Sequence, residues 1–295
     1  MARQPPAAIL ASMQPDQAVI DRWNGAAPFW EKHRETIRQM FAPVTQALVE
    51  DALIRSGHTV LDVATGPGEP ALGIAAVVGP EGKIIGIDPI PTMVAAGRRA
   101  ASQGGIRNTQ FDVAFADDLP FPADSFDAVV SRFGVMFVPS PVDAVREMLR
   151  VLKPGRKLAL AVWHLPESNP FFYTLSQVIE RYVDSQPPAP DAPDAFRFAG
   201  SGRLLEVLCE AGAIASSERL LPFTIETPIS VEDFWALRIE MSEKLREKVA
   251  MLSNEQLSEA KREALEAMGE YSTMRGMSFP AEVLIVSGTK SRPAQ

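Results

Sequence analysis

The chain has 295 residues, 46% hydrophobic and 22% charged, an ordinary globular balance for which a chain this long buries about 75% of its unfolded surface without covalent staples. A formal net charge of −8 argues against a nucleic-acid partner, because such proteins gain affinity by neutralising phosphates. No apolar run reaches the roughly 18 residues of a membrane-spanning helix, so the expected partner is a small molecule.

Residues 1 to about 17 read as a loose tail; its apolar patch is broken by prolines and has no signal-peptide core. Residues 18–56 carry helical periodicity with an aromatic cluster of Trp23, Phe29, Trp30 and Phe41. From 59 onward, short β-branched runs alternate with helices. The predicted strands are TVLDVA (59–64), KIIGID (83–88), TQFDVA (109–114), FDAVVSR (126–132) and KLALAVWH (157–164), with helices at 70–78, 91–103 and 141–152. Strands alternating with helices predict a doubly wound, Rossmann-like α/β fold with a parallel sheet. Continuous apolar strands, here the first four, are what helices on both faces require.

Beyond 164 a helix is expected at 168–183, a proline-rich loop at 186–195 and a helix at 201–212. The last of these carries Cys209, the only cysteine; without an internal partner it fits a reducing, cytoplasmic setting. A strand at 217–226, two polar amphipathic helices at 231–252 and 254–270, and a strand EVLIVSG (282–288) complete the chain. This divides it into a tail with cap helices at 1–57 and a core at 58–295, with a helical insertion at about 230–275.

The stretch VLDVATGPGEPAL (60–72) is chemically the most specific. In an open α/β sheet, ligands sit at the carboxyl ends of the strands, at the switch point. Gly66 and Gly68 allow backbone to approach a ligand, and the helix that follows offers free N–H groups. Asp88, ending the second strand, can accept both hydrogen bonds of a ribose diol, serving the ligand rather than the core. Gly66-x-Gly68-x-x-Ala71 followed by Asp88 fits a dinucleotide, which would make the chain an NAD(P)-dependent oxidoreductase; it also fits S-adenosylmethionine. Asp62 separates the two. A pyrophosphate is repelled by an acid there, whereas a cofactor carrying an ammonium and a sulfonium gains from it; the alternative role for Asp62 is to cap neighbouring backbone.

With GIDPIPTMVAAGRRA, ADDLPFPADSFDAVVSRFGVMFV and VREMLRVLKPGRKLALAVW added, the chain resembles class I S-adenosylmethionine-dependent methyltransferases over about residues 58–164. It is most similar to the branch of the ubiquinone and menaquinone C-methyltransferases. The resemblance implies a seven-stranded sheet, mostly parallel with EVLIVSG antiparallel. It implies methionine-end contacts from Asp62, Ala64, Gly66 and Gly68, ribose contacts from Asp88 and an adenine contact from Met93. Ala116 and Asp117 would lie along the adenine edge, with Ser131 and Phe133 facing the cleft. Two positions depart from the family pattern: Ala64 replaces a glycine, and Phe115 stands where an acid usually holds the adenine amine, leaving Asp117 as its substitute.

Methyl transfer from a sulfonium is an in-line displacement with an activated leaving group, so the protein mainly supplies proximity and orientation. A base is needed only for a protonated acceptor, and His164 is the best-placed titratable group, with a structural strand-end histidine as the alternative. Trp23, Phe29, Trp30, Trp163, Phe171, Phe172 and Tyr173 favour an apolar or aromatic small acceptor. No His, Cys or carboxylate spacing reads as a metal site. A protein that binds the cofactor without methylating remains a further alternative.

Overall fold

The computed structural model describes residues 17–183 and 191–293. Nearly all of the expected tail (1–16) and the first half of the proline-rich loop expected at 186–195 lie outside the described residues.

Among the described residues three helices come first: α1 (Gln17–Lys32), α2 (Arg34–Met40) and α3 (Ala42–Asp51). The alternating part follows as β1 (Thr59–Val63), α4 (Ala71–Val78), β2 (Lys83–Asp88), α5 (Pro91–Gln103), β3 (Thr109–Val113), β4 (Phe126–Arg132), α6 (Pro141–Val151) and β5 (Leu152–Trp163). After it come α7 (Pro170–Glu180), α8 (Arg203–Glu210), β6 (Ile214–Thr227), α9 (Val231–Met241), α10 (Glu243–Ala250), α11 (Asn254–Gly269), β7 (Ser272–Thr273) and β8 (Gly276–Thr289).

The sheet order is β3-β2-β1-β4-β5-β8-β6, with β7 paired to β8 alone. Pairs among β1 to β5 are parallel, and β8 runs antiparallel to both β5 and β6. The expected seven-stranded sheet with one reversed strand is therefore present. The two-residue β7 is an addition, made by the hairpin that turns α11 into β8. β1 and β4 are adjacent although separated by two strands in sequence, which places the switch point at their carboxyl ends.

Burial explains the strand signals: every residue of β4 is buried, as are all of β2 except Lys83, because helices cover both faces. Several boundaries differ from expectation, β8 starting six residues early at Gly276 among them, and two have a clear local cause. β5 starts at Leu152, ahead of Pro154 and Gly155, and Gly155 still donates to the carbonyl of Lys290 at 2.9 Å, so those residues shape the entry to the strand without ending its pairing. The helix expected at 231–252 is two helices. Ser242 has extended backbone and its hydroxyl accepts from Leu245 N, capping α10.

Candidate active site

β1 ends at Val63 and the chain then turns through left-handed backbone, with φ of +59° at Ala64, +55° at Gly66 and +102° at Gly68. A side chain built on Gly66 would meet nothing within 4 Å, whereas one on Gly68 would press on Gly97, Leu72 and Phe111 at 3.1–3.3 Å. The first glycine leaves room and the second permits packing. Phe133, just past β4, is also left-handed at +62°. Two non-glycine residues held this way, each at roughly 1–2 kcal/mol, sit at the ends of adjacent strands, where surrounding structure over-determines the backbone. Gly134 abuts both Ala64 and Ser131, so the ends of β1 and β4 meet.

Two buried acids flank the turn. Asp62 is 0% exposed; its Oδ2 accepts from the Thr65 hydroxyl at 2.6 Å and from Ala71 N at 3.1 Å, while Oδ1 has no partner. Asp62 thus caps α4 with one oxygen and leaves the other free. Burial pushes its carboxyl up to about 7, against the Thr65 hydroxyl, the Arg132 charge and the Ala71 N–H. Asp88 accepts from Gly66 N at 2.9 Å and from Ile90 N at 3.0 Å, and burial pushes it up to about 6 against those two bonds. Asp88 therefore ties the glycine turn to the start of α5, a structural task its strand-end position did not announce. A carboxylate offers about four acceptor sites, so two remain for a diol.

Sequence reasoning missed the charges beside Asp62. Arg132 is 7% exposed, donates to Thr45 Oγ1 at 2.8 Å, and carries its charge toward Glu69 and Asp62. Glu69 is buried and raised by that burial, with Arg132 opposing. Ser131 Oγ is buried without a partner. The other expected contacts spread along the same strand ends. Met93 is 3% exposed and packs with Ile90 and Ala27 under Trp23 and Trp30. Phe115 and Asp118 form an isolated bridge, and Ala116 and Asp117 between them are half-buried, Asp117 raised by burial.

α1 crosses over these strand ends. At one end Thr92 donates to Asn24 Oδ1 at 2.8 Å and Arg99 pairs with Glu31; further along, Trp23 meets Phe137 with centroids 5.2 Å apart. Beyond it lies an aromatic row: Phe133 stacks on Trp163 at 4.3 Å and 5°, and Trp163 meets Phe172 edge-on at 4.7 Å. Phe41, at the junction of α2 and α3, and Phe171 on α7 close the row. Tyr173 is half-buried on α7. A surface depression of about 470 Å³ beside Arg98, Ser102 and Asp112 is at the outer edge of β3 and contains none of these residues.

α9 brings a residue that the sequence did not single out. Arg238 is 4% exposed, its guanidinium carbon 4.8 Å from the Phe171 centroid and 4.6 Å from that of Phe172. Its Nε has no partner, and no acid pairs with it among the described residues. Burial alone pulls its pKa down to about 9. A cation–π contact contributes about 0.5–2 kcal/mol, against an effective desolvation penalty of several kcal/mol per ion; the rings do not offset the burial. The available signal was spacing, since Arg238 follows Phe234 by four and Trp235 by three, on the buried stripe of the helix.

His164, the expected base, is placed elsewhere. Its Nδ1 is 2.8 Å from Glu282 Oε2, and its backbone N donates to the Glu282 carbonyl. Trp163, one residue earlier, faces Phe41 and Phe133, so strand alternation turns His164 to the other face. His33 is likewise engaged, with Nε2 2.6 Å from Glu240 Oε2. Among the described residues no His, Cys, Asp or Glu group could hold a metal ion, and no helix is long and apolar enough to cross a membrane.

This arrangement meets known proteins at one stretch: residues 60–155 match the family described as "Methyltransferase domain". These residues are a methyltransferase domain. The stretch includes Asp62, the glycine turn, Asp88 and the end of β4. The ubiquinone/menaquinone biosynthesis C-methyltransferase of Marinomonas sp. is 39% identical over 130 residues, 44% of this chain and 50% of that protein. The chain thus spans about half the length of the curated relatives it matches. Two solved structures share this fold. YcgJ of Bacillus subtilis aligns with a TM-score of 0.55 at 20% identity, covering 85% of this chain and 99% of that one. Phosphoethanolamine N-methyltransferase 2 of Haemonchus contortus, solved with S-adenosyl-L-methionine, aligns with a TM-score of 0.53 at 16% identity, covering 90% and 60%.

Proposed function

We propose that this chain transfers a methyl group from S-adenosylmethionine to a small apolar or aromatic acceptor. The observation that carries this reading is the free, buried Oδ1 of Asp62 beside the open side of Gly66. An orphaned carboxylate oxygen suits an ammonium, and an absent Cβ leaves the space a ligand needs. Asp62, Ala64, Gly66 and Gly68 hold the methionine end, Asp88 the ribose, and Met93, Ala116 and Asp117 the adenine side. Ser131 and Phe133 stand at the transfer point, with the aromatic row receiving the acceptor.

Bound there, the cofactor supplies an activated methyl group on a sulfonium. The chain supplies alignment, a function that can account for roughly 7–11 kcal/mol of a barrier. His164 bonds Glu282 through Nδ1, and a base is needed only for an acceptor that arrives protonated. The helices before residue 58 and those at about 230–275 act as a cover on the methyltransferase core. The buried Asp62 beneath the turn opposes the pyrophosphate of a dinucleotide, and the net charge of −8 opposes nucleic acid. Calorimetry with S-adenosylhomocysteine and NADH, then labelled methyl transfer to phenols, quinols and amines, tests the reading. NADH binding with no response to the homocysteine compound would end it.

A further inference from the structure

We propose that Arg238 is the recognition residue for a carboxylate on the methyl acceptor, which is an aromatic or apolar acid. The proposal rests on the methyltransferase reading and adds the acceptor's chemical class to it. Arg238 is a buried cation of the cover with no acid paired to it among the described residues. Its neighbours on α9 and α10 are occupied: Glu240 holds Lys32 and His33, and Glu243 holds Arg22. Arg246, the next arginine, donates to the Glu240 carbonyl. Arg238 instead lies between the rings of Phe171 and Phe172 with Nε unpaired.

The rings give it a direction. Phe172 touches Trp163, and Trp163 stacks on Phe133 at the end of β4. An unbroken aromatic path thus runs from the guanidinium to the strand end where transfer is proposed. A flat apolar body lies along that path while a carboxylate at its far end meets the guanidinium. The planar fork of arginine matches a carboxylate with two parallel hydrogen bonds. One cation in a dry, aromatic setting neutralises one charge, so a carboxylate suits it and a phosphate dianion does not.

The test uses the full chain saturated with S-adenosylhomocysteine. Binding of phenylacetate, 4-hydroxybenzoate and 1-naphthoate is compared with that of their methyl esters by ligand-observed NMR. At least one acid is expected to bind tenfold or more tightly than its ester, and Arg238→Met is expected to erase that preference while leaving ester binding unchanged. Arg238→Met is also expected to raise the melting temperature of the ligand-free chain, since it removes an unpaired buried charge; a purely structural arginine would lower it. Acids and esters binding alike, no acid binding at all, or a preference that survives Arg238→Met each overturns the proposal. If Arg238→Met does not fold, Arg238→Lys serves, with a reduced acid preference expected and an unchanged one contradicting it. Failure of S-adenosylhomocysteine to bind is seen separately, and strikes the methyltransferase reading instead.

Discussion

Asp62 makes cofactor affinity depend on pH in a direction opposite to simple acid tolerance. With its carboxyl pushed up to about 7, it is largely ionised at pH 7.5 and about one-eleventh ionised at pH 6. If the cofactor's ammonium pairs with the ionised form, that change weakens binding about eightfold, or about 1 kcal/mol. Asp88, pushed up to about 6, is half-protonated at pH 6 and adds a factor of about two through the ribose. S-adenosylhomocysteine should therefore lose about fifteenfold in affinity from pH 7.5 to 6. 5′-Methylthioadenosine, which keeps the ribose and lacks the amino acid, should lose only about twofold. Titration calorimetry at both pH values measures this, and repeating it in buffers of different ionisation enthalpy should reveal a proton released on binding at pH 6.5. Equal losses for the two ligands, or none for either, would refute an ammonium at Asp62.

Three further outcomes follow from the same site. A raised carboxyl favours the folded state below its folded pKa and loses that benefit as pH rises through about 7, so the ligand-free chain should be about 1 kcal/mol more stable at pH 6 than at pH 8 on account of Asp62. Denaturant unfolding of wild type against Asp62→Asn isolates this from His58, which burial shifts down and which opposes it; identical pH slopes would contradict it. Gly66→Ala has steric room but left-handed backbone, so it should cost about 1 kcal/mol of stability and tenfold or more in cofactor affinity. Gly68→Ala meets Gly97, Leu72 and Phe111 and should lower the melting temperature further; the reverse order in unfolding scans would place the ligand at Gly68. Asp88→Ala strands the N–H groups of Gly66 and Ile90 and should lose about 1–3 kcal/mol of stability as well as affinity. Intact stability in that variant would show that the turn does not depend on the acid.

The sheet was legible because its signals are local. β2 and β4 are buried on both faces, so KIIGID and FDAVVSR read as apolar runs bounded by turn residues, and both match the observed strands end to end. α5 matches as well, opened by Pro91. The break at Ser242 was hidden because the amphipathic pattern continues across it, and only the extended backbone of one serine interrupts the helix. At the site, the acids and glycines of 62–68 and Asp88 were readable from their place at strand ends, but their bonds were not. Asp88 could be seen as an acceptor; which donors it would accept from depended on the path of the turn. Arg132 and Arg238 were the least visible, because an arginine on a strand end or helix normally keeps its charge in water. Only tertiary packing buries these two.

The elements over the strand ends are held together differently from the sheet beneath them. Arg22 to Glu243, Lys32 to Glu240 and Lys248 to Glu180 are all partly exposed pairs linking separate helices. Such pairs contribute about 0–1 kcal/mol each and fade as ionic strength rises. These pairs only rim the cover, because Phe234, Leu237, Leu245 and Met268 are buried in one apolar cluster with the sheet. Salt therefore trims an edge and leaves the seat intact: a moderately saline buffer should leave the melting temperature of the chain nearly unchanged.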